Sequence, residues 1–212
     1  MTAAARRVHD RLGRSGGNGS LMRTSPVALA HLDDPKALVT AAGAVSALTH
    51  TDPQAGEACA LWCLGIRSAV LDAVFPDLRD GLALLPKDSR PFWLGKIEEA
   101  ERLEPRRFRP NGYVVTALQA AWSAINLTQV IETRGEEGIG QGHILDALET
   151  AIRIGDDTDT VASIAGALLG ARWGASAFPS TWRSLVHGWP DATAEDLVDL
   201  ARWSVGFRSL PE

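Results

Sequence analysis

The stretch Gly155-Asp156-Asp157-Thr158-Asp159-Thr160 places three carboxylates and two hydroxyls within five residues, with no Lys or Arg among them. Carboxylates crowded in this way raise one another's pKa unless a cation lies between them. A hard divalent ion such as Mg²⁺ suits them, because it takes oxygen ligands and little else. Asp157, Asp159 and Thr160 can all present oxygens if the run sits on a loop entering a helix. A second reading stays open at this point. Asp and Thr are favoured helix N-caps, and acids in a first turn complement the helix dipole. A calcium EF-hand loop is excluded, since the Gly at loop position six and the Glu at twelve are absent counting from Asp157.

Three further clusters bear on chemistry. Gly16-Gly17-Asn18-Gly19-Ser20-Leu21-Met22-Arg23 runs into a helix. Glycines let backbone N–H groups approach an anion, and a helix N-terminus favours phosphate. A Gly-Asn-Gly tight turn is the plainer alternative. Thr49-His50-Thr51-Asp52 lies at a helix junction, where a histidine commonly caps or faces solvent. In Asn111-Gly112-Tyr113-Val114-Val115, Tyr113 opens a helix. Its ring can stack on a base or ribose, or simply pack at the rim of the core.

The elements that must carry these clusters read as helices almost throughout. Helices are expected over 2–12, 26–31, 36–48, 53–74, 76–84, 92–103, 113–125, 143–153, 159–173, 179–186 and 193–206. Asp33-Asp34-Pro35 and Asp52-Pro53 have the pattern of a cap followed by proline in the first turn. Residues 13–20 and 127–141 are Gly-rich and polar, and read as loops. Alternating strand patterns are nearly absent. Small residues recur at helical spacing, as in Ala121 and Ala124 or Ala162, Ala165 and Leu169, and allow close helix approach. The expected fold class is all-α, a compact helix bundle. The tryptophans, among them Trp62, Trp122, Trp173 and Trp203, fall mostly in helical segments and are expected in the core.

With 212 residues and 45% hydrophobic content the chain is expected to form one domain, residues 1–212. Net charge of −5 argues against nucleic-acid binding through bulk electrostatics. Cys59 and Cys63 lie four apart on an apolar helix, as small buried thiols do, and imply neither zinc nor a disulfide framework. No signal-peptide pattern and no run of about 20 apolar residues is present, so the expected location is the cytoplasm.

Taken together and in order, these motifs resemble the ADP-ribosylglycohydrolase family, the relatives of dinitrogenase-reductase-activating glycohydrolase. The carriers are Gly17-Asn18-Gly19-Ser20-Leu21-Met22-Arg23 before Pro26, Thr49-His50, Gly112-Tyr113-Val114-Val115, and Gly155-Asp156-Asp157-Thr158-Asp159-Thr160 before a small-residue helix. The resemblance covers essentially the whole chain. It implies an all-helical orthogonal bundle that binds two Mg²⁺ ions and hydrolyses the bond between ADP-ribose and an acceptor such as arginine or serine. It implies Asp157, Asp159 and Thr160 as metal ligands. It places Gly17, Asn18, Gly19, Ser20 and Met22 along the pyrophosphate and proximal ribose. His50 then faces the bound ADP-ribose, and Gly112 and Tyr113 lie beside the adenosine half. It assigns no catalytic acid here.

The sequence also departs from the family pattern. Members carry an N-terminal third with a Thr-Asp-Asp-Thr stretch that completes the two-metal site, whereas only about fifteen residues precede Gly16. The chain therefore resembles the C-terminal two-thirds of a glycohydrolase, a split or degenerate relative or one whose start lies upstream. One magnesium, or weak binding, is the expectation. The alternative is a catalytically inactive ADP-ribose-binding or interaction module. Uncovered apolar faces point to a homodimer or to an N-terminal partner segment.

Overall fold

The computed structural model describes residues 2–13, 15–128, 134–135 and 138–206. Within these the chain is all-α, as its composition and periodicity predict. Ten α-helices are described: α1 (Thr2–Leu12), α2 (Ser25–Ala30), α3 (Pro35–Ala47), α4 (Pro53–Asp72), α5 (Arg90–Arg102), α6 (Val114–Asn126), α7 (Gln141–Ile154), α8 (Thr158–Trp173), α9 (Ser180–Arg183) and α10 (Ala194–Ser204). Short 3-10 segments connect them, notably Asn18–Arg23 and Leu78–Leu84, the latter where an α-helix was expected. Two hairpins of two-residue strands complete the described chain: β1 (Arg134–Gly135) with β2 (Gly138–Ile139), and β3 (His187–Gly188) with β4 (Ala192–Thr193). Most of the loop expected over 127–141 lies outside the described residues.

The two Asp-Pro junctions start helices as expected. Asp34 accepts from the backbone N–H groups of Lys36 and Ala37, and Asp52 from that of Gln54, with proline in the first turn of each helix. Helices α4, α6 and α8 pack on one another at the centre. Helix α3 covers α4, α5 covers α6, and α7 lies against both α6 and α8. The buried apolar side chains form one connected cluster. Alanine makes these close approaches possible: Ala117, Ala120, Ala121 and Ala124 of α6 are all fully buried. Helix α8 buries Val161, Ile164, Ala165, Leu168 and Leu169, so it is surrounded on several sides within this chain.

The tryptophans divide. Trp62, Trp93 and Trp122 are buried, and each indole N–H has a partner: Ile164 O, Glu57 Oε2 and Glu101 Oε1 respectively. Trp203, expected in the core, is instead 69% exposed, because α10 lies at the edge of the bundle. Trp189 is also exposed. Both cysteines are buried and free, as their spacing predicts. Among the described residues, no helix is long and apolar enough to cross a membrane.

A buried histidine ties α7 to this core. His143 Nδ1 is 3.3 Å from Trp173 Nε1, which can only donate, so the ring proton is assigned to Nε2. Nε2 lies 3.0 Å from both Ile125 O and Thr128 Oγ1. Phe75 and Trp173 pack edge-on around the ring. Burial pushes the His143 pKa down, the Ile125 carbonyl and Asp146 oppose this, and Arg172 adds to it. The folded chain thus binds this proton less readily than the unfolded chain. The stability this group contributes is complete above the ordinary histidine value near 6.5 and falls as pH drops below it. Urea unfolding at neutral and at acidic pH is expected to show a larger loss for the natural chain than for His143→Gln. Equal losses would refute the assignment.

Candidate functional site

Three segments far apart in sequence meet at one end of α8. The first is the 3-10 helix Asn18–Arg23, preceded by Gly16 and Gly17. Two backbone hydrogen bonds tie it to the second, residues 111–114: Asn18 N donates to Gly112 O at 3.1 Å, and Val114 N to Gly16 O at 2.8 Å. The third is the turn leading into α8. Asn18, largely buried, spans all three, since its Nδ2 donates to Asn111 O at 2.9 Å and to Asp157 Oδ2 at 2.7 Å. Asn111, fully buried, completes the junction. Its Nδ2 donates to Gly155 O at 3.0 Å, and its Oδ1 accepts from Asp157 N at 2.9 Å.

The turn itself is held in an uncommon conformation. Gly155 has φ 91° and Asp156 φ 61°, the left-handed region, which costs a non-glycine residue about 1–3 kcal/mol unless its surroundings hold it there. Arg109 does so by pairing with Asp156 at 3.0 Å and lying across Gly155. A side chain at 155 would meet this guanidinium about where its Cβ begins, 3.2 Å away. The Asp156 carboxylate is thereby committed to Arg109, through both of its oxygens.

Asp157 occupies the N-cap position of α8, yet its side chain makes no capping hydrogen bond. This separates it from Asp34 and Asp52, whose carboxylates do cap. The Asn18 amide holds the Asp157 carboxyl below its ordinary range against the opposing effect of burial, with smaller contributions from Asp159 and from the hydroxyl and backbone N–H of Thr160, the latter falling short of a capping bond. Asp159 is exposed in the first turn of α8, and Thr160 is buried with its hydroxyl 3.7 Å from Met22 Sδ. Two carboxylates thus lie over the buried Thr160 hydroxyl, all oxygen and free of the arginine that neutralises Asp156. That donor set suits a hard cation.

The glycines of the first motif serve a purpose other than a tight turn. Gly16, Gly17 and Gly19 have ordinary negative φ. Aromatic rings lie on their backbone instead. A Cβ on Gly16 would stand 2.9 Å from the Tyr113 ring, and on Gly17 or Gly19 only 3.2 or 3.3 Å from the His50 imidazole. Ser20 is turned inward and buried, backbone and side chain alike. Tyr113 is the extended residue before α6, and its hydroxyl donates to Gln54 Oε1. Burial raises the Tyr113 pKa, and the nearby Asp52 carboxylate adds to this. An open cleft of about 540 Å³ lies between Ser15, Gly16, Gly17, Asp52, Gly112 and Tyr113.

Gly17, Asn18, Gly19, His50, Gly112 and Tyr113 therefore surround one face, with Met22 joining Asp157, Asp159 and Thr160 beside it. Asn111, buried beneath this face, and Asp52 and Gln54, at its edge, take part in the site in ways that the sequence did not assign to them. Asn111 adjoins a recognised motif, and Asp52 and Gln54 follow His50 closely. That adjacency was the available signal.

An all-helical chain with this arrangement has recognisable relatives. The sequence model of the ADP-ribosylglycohydrolase family matches residues 1–208, and the chain belongs to that family. It is 29% identical over 170 residues to ADP-ribosylarginine hydrolase Tri1 of Pseudomonas putida (strain GB-1), covering 79% of this chain and 41% of that protein. It is 26% identical over 168 residues to ADP-ribosyl-[dinitrogen reductase] glycohydrolase of Rhodospirillum rubrum, covering 79% of this chain and 50% of the relative. The chain thus spans half or less of these curated relatives. A solved structure described as an ADP-ribosylglycohydrolase-related protein complex superimposes with a TM-score of 0.63 at 25% identity, covering 97% of this chain and 68% of that one.

Proposed function

We propose that this chain carries the ADP-ribose-holding face of a magnesium-dependent hydrolase that removes ADP-ribose from a modified acceptor, a protein side chain or a small molecule. The observation that carries the reading is the Asn18–Asn111–Asp157 junction, which sets an oxygen-donor cluster beside a glycine loop faced by His50 and Tyr113. A pyrophosphate would lie along the glycine loop, and the imidazole and phenol rings that pack on that loop would offer a polar donor and a stacking face to ribose and base. Asp157, Asp159 and Thr160 would hold Mg²⁺, which when bound supplies positive charge for orienting a ribose diol and a water. Departure of the acceptor from the anomeric carbon develops oxocarbenium character, and the reacting sugar must be held still while this happens. Asn18 contributes by fixing the Asp157 carboxylate, and Asn111 by fixing the turn that bears it.

A second reading, an inactive ADP-ribose-binding module, has its own support. Among the described residues, no group of three or more His, Cys, Asp or Glu side chains is arranged to hold a metal. Calorimetry with Mg²⁺ and with ADP-ribose, followed by assay of ADP-ribosyl-arginine hydrolysis, separates the two. Asp157→Asn is expected to lower Mg²⁺ affinity by about an order of magnitude or more, because one of two carboxylates is lost. Unchanged Mg²⁺ binding would return Asp157 to a purely structural place. ADP-ribose binding without hydrolysis would favour the binding module.

A further inference from the structure

His50 stands at the end of a hydrogen-bond chain that starts outside the cleft. Arg23 donates from Nη1 to Gly19 O at 2.9 Å and from Nη2 to Thr49 Oγ1 at 2.5 Å. Thr49 Oγ1 is in turn 2.7 Å from His50 Nδ1. A guanidinium has donors only, so Thr49 accepts in the first of these bonds. The proton of the hydroxyl is then free to point at Nδ1. An imidazole whose Nδ1 accepts carries its own proton on Nε2. That nitrogen lies against the glycine loop, 3.2 Å from the Cβ position of Gly17 and 3.5 Å from that of Gly19.

We propose that Arg23 and Thr49 are positioning residues that fix His50 as a neutral imidazole, its Nε2–H presented at the Gly17–Gly19 loop to donate to a phosphate or ribose oxygen of ADP-ribose. The ligand half of this inference rests on the function proposed above. The geometry gives Arg23 two duties in one side chain: it anchors the Gly19 carbonyl of the loop and orients the ring that faces the loop. Loop and ring are thereby held in a common frame. The charge balance agrees, since burial first and Arg23 second both disfavour the imidazolium. The site thus keeps one donor of fixed direction through neutral pH, rather than a charge that comes and goes.

Imidazole ¹⁵N spectra and calorimetry with ADP-ribose, on the full chain and from about pH 5.5 to 8.5, test this. The natural chain is expected to show the Nε2–H tautomer, a titration below the ordinary histidine range, and an ADP-ribose affinity that is flat through neutrality. Thr49→Val should mix the tautomers and weaken ADP-ribose by about three- to tenfold, and Thr49→Ser should restore both. Arg23→Met should move the His50 titration upward, toward the ordinary histidine range, and loosen the hold on the Gly19 carbonyl. An Nδ1–H tautomer in the natural chain overturns the relay. So does a Thr49→Val chain with weaker binding and an unchanged spectrum, which would make Thr49 merely structural. If the natural chain has the expected tautomer but binds no ADP-ribose at millimolar concentration, the proposed function falls, and with it the ligand role of Nε2.

Discussion

Asn111→Ala is expected to destabilise the chain by about 3 kcal/mol and to weaken any ligand held across the site by at least about tenfold. The side chain has no exposed surface, and its removal leaves Gly155 O and Asp157 N without their partner in a closed space. A buried polar group stranded in this way costs about 1–3 kcal/mol. The loss is not confined to stability, because these two bonds hold the left-handed turn at Gly155 and Asp156 that sends Asp157 toward Asn18. Asn111→Asp is expected to be no rescue. A carboxylate keeps the acceptor for Asp157 N but faces Gly155 O with no donor, and adds negative charge beside Asp157. Urea unfolding and ADP-ribose calorimetry on both variants check this. An Asn111→Ala chain of natural stability would show that the turn is held by Arg109 alone.

Trp62→Ala is expected to cost about 3–5 kcal/mol, the range for deleting a large buried aromatic side chain. Trp62 is 1% exposed between α4 and α8, and its indole bonds Ile164 O at 3.1 Å across that interface. Against a typical total of about 5–15 kcal/mol, one such substitution removes a large share of the stability. Equilibrium urea unfolding measures it. A loss below about 1.5 kcal/mol would mean that the small residues of α8 close over the cavity. Trp203→Ala, on the exposed edge of the bundle, is the matched control and is expected to change little.

Much of the helical framework was legible because its signals are local. Asp34-Pro35 and Asp52-Pro53 announce helix starts through one side chain and one ring, and both begin helices where they stand. The small-residue pattern of α6 and α8 likewise tells of close packing. Leu78–Leu84 was read as α-helix because its apolar spacing does not distinguish the tighter 3-10 turn. Trp203 was misplaced for a different reason: a tryptophan in an amphipathic helix looks alike whether its apolar face is covered or not. The candidate site was legible in parts and not in its wiring. The type of each oxygen donor is written in the sequence. Which carboxylate caps a helix and which is drawn aside is decided in part by Asn18, 139 positions away from Asp157. The glycines showed that backbone lies close to something, and only the fold identifies the neighbours as Tyr113 and His50.

The two thiols beneath the glycine loop have a consequence for chemical durability. Cys63 lies within reach of the Thr24 hydroxyl, and burial pushes its pKa up to about 12; burial raises that of Cys59 as well. Oxidants and alkylating agents attack the thiolate rather than the thiol, and demand access besides. At neutral pH both sulfurs are therefore protonated and sealed between α4 and the segment bearing Gly17 to Thr24. While the fold stays closed, the floor under the loop is insulated from redox damage, and the sulfurs become reactive when that packing opens.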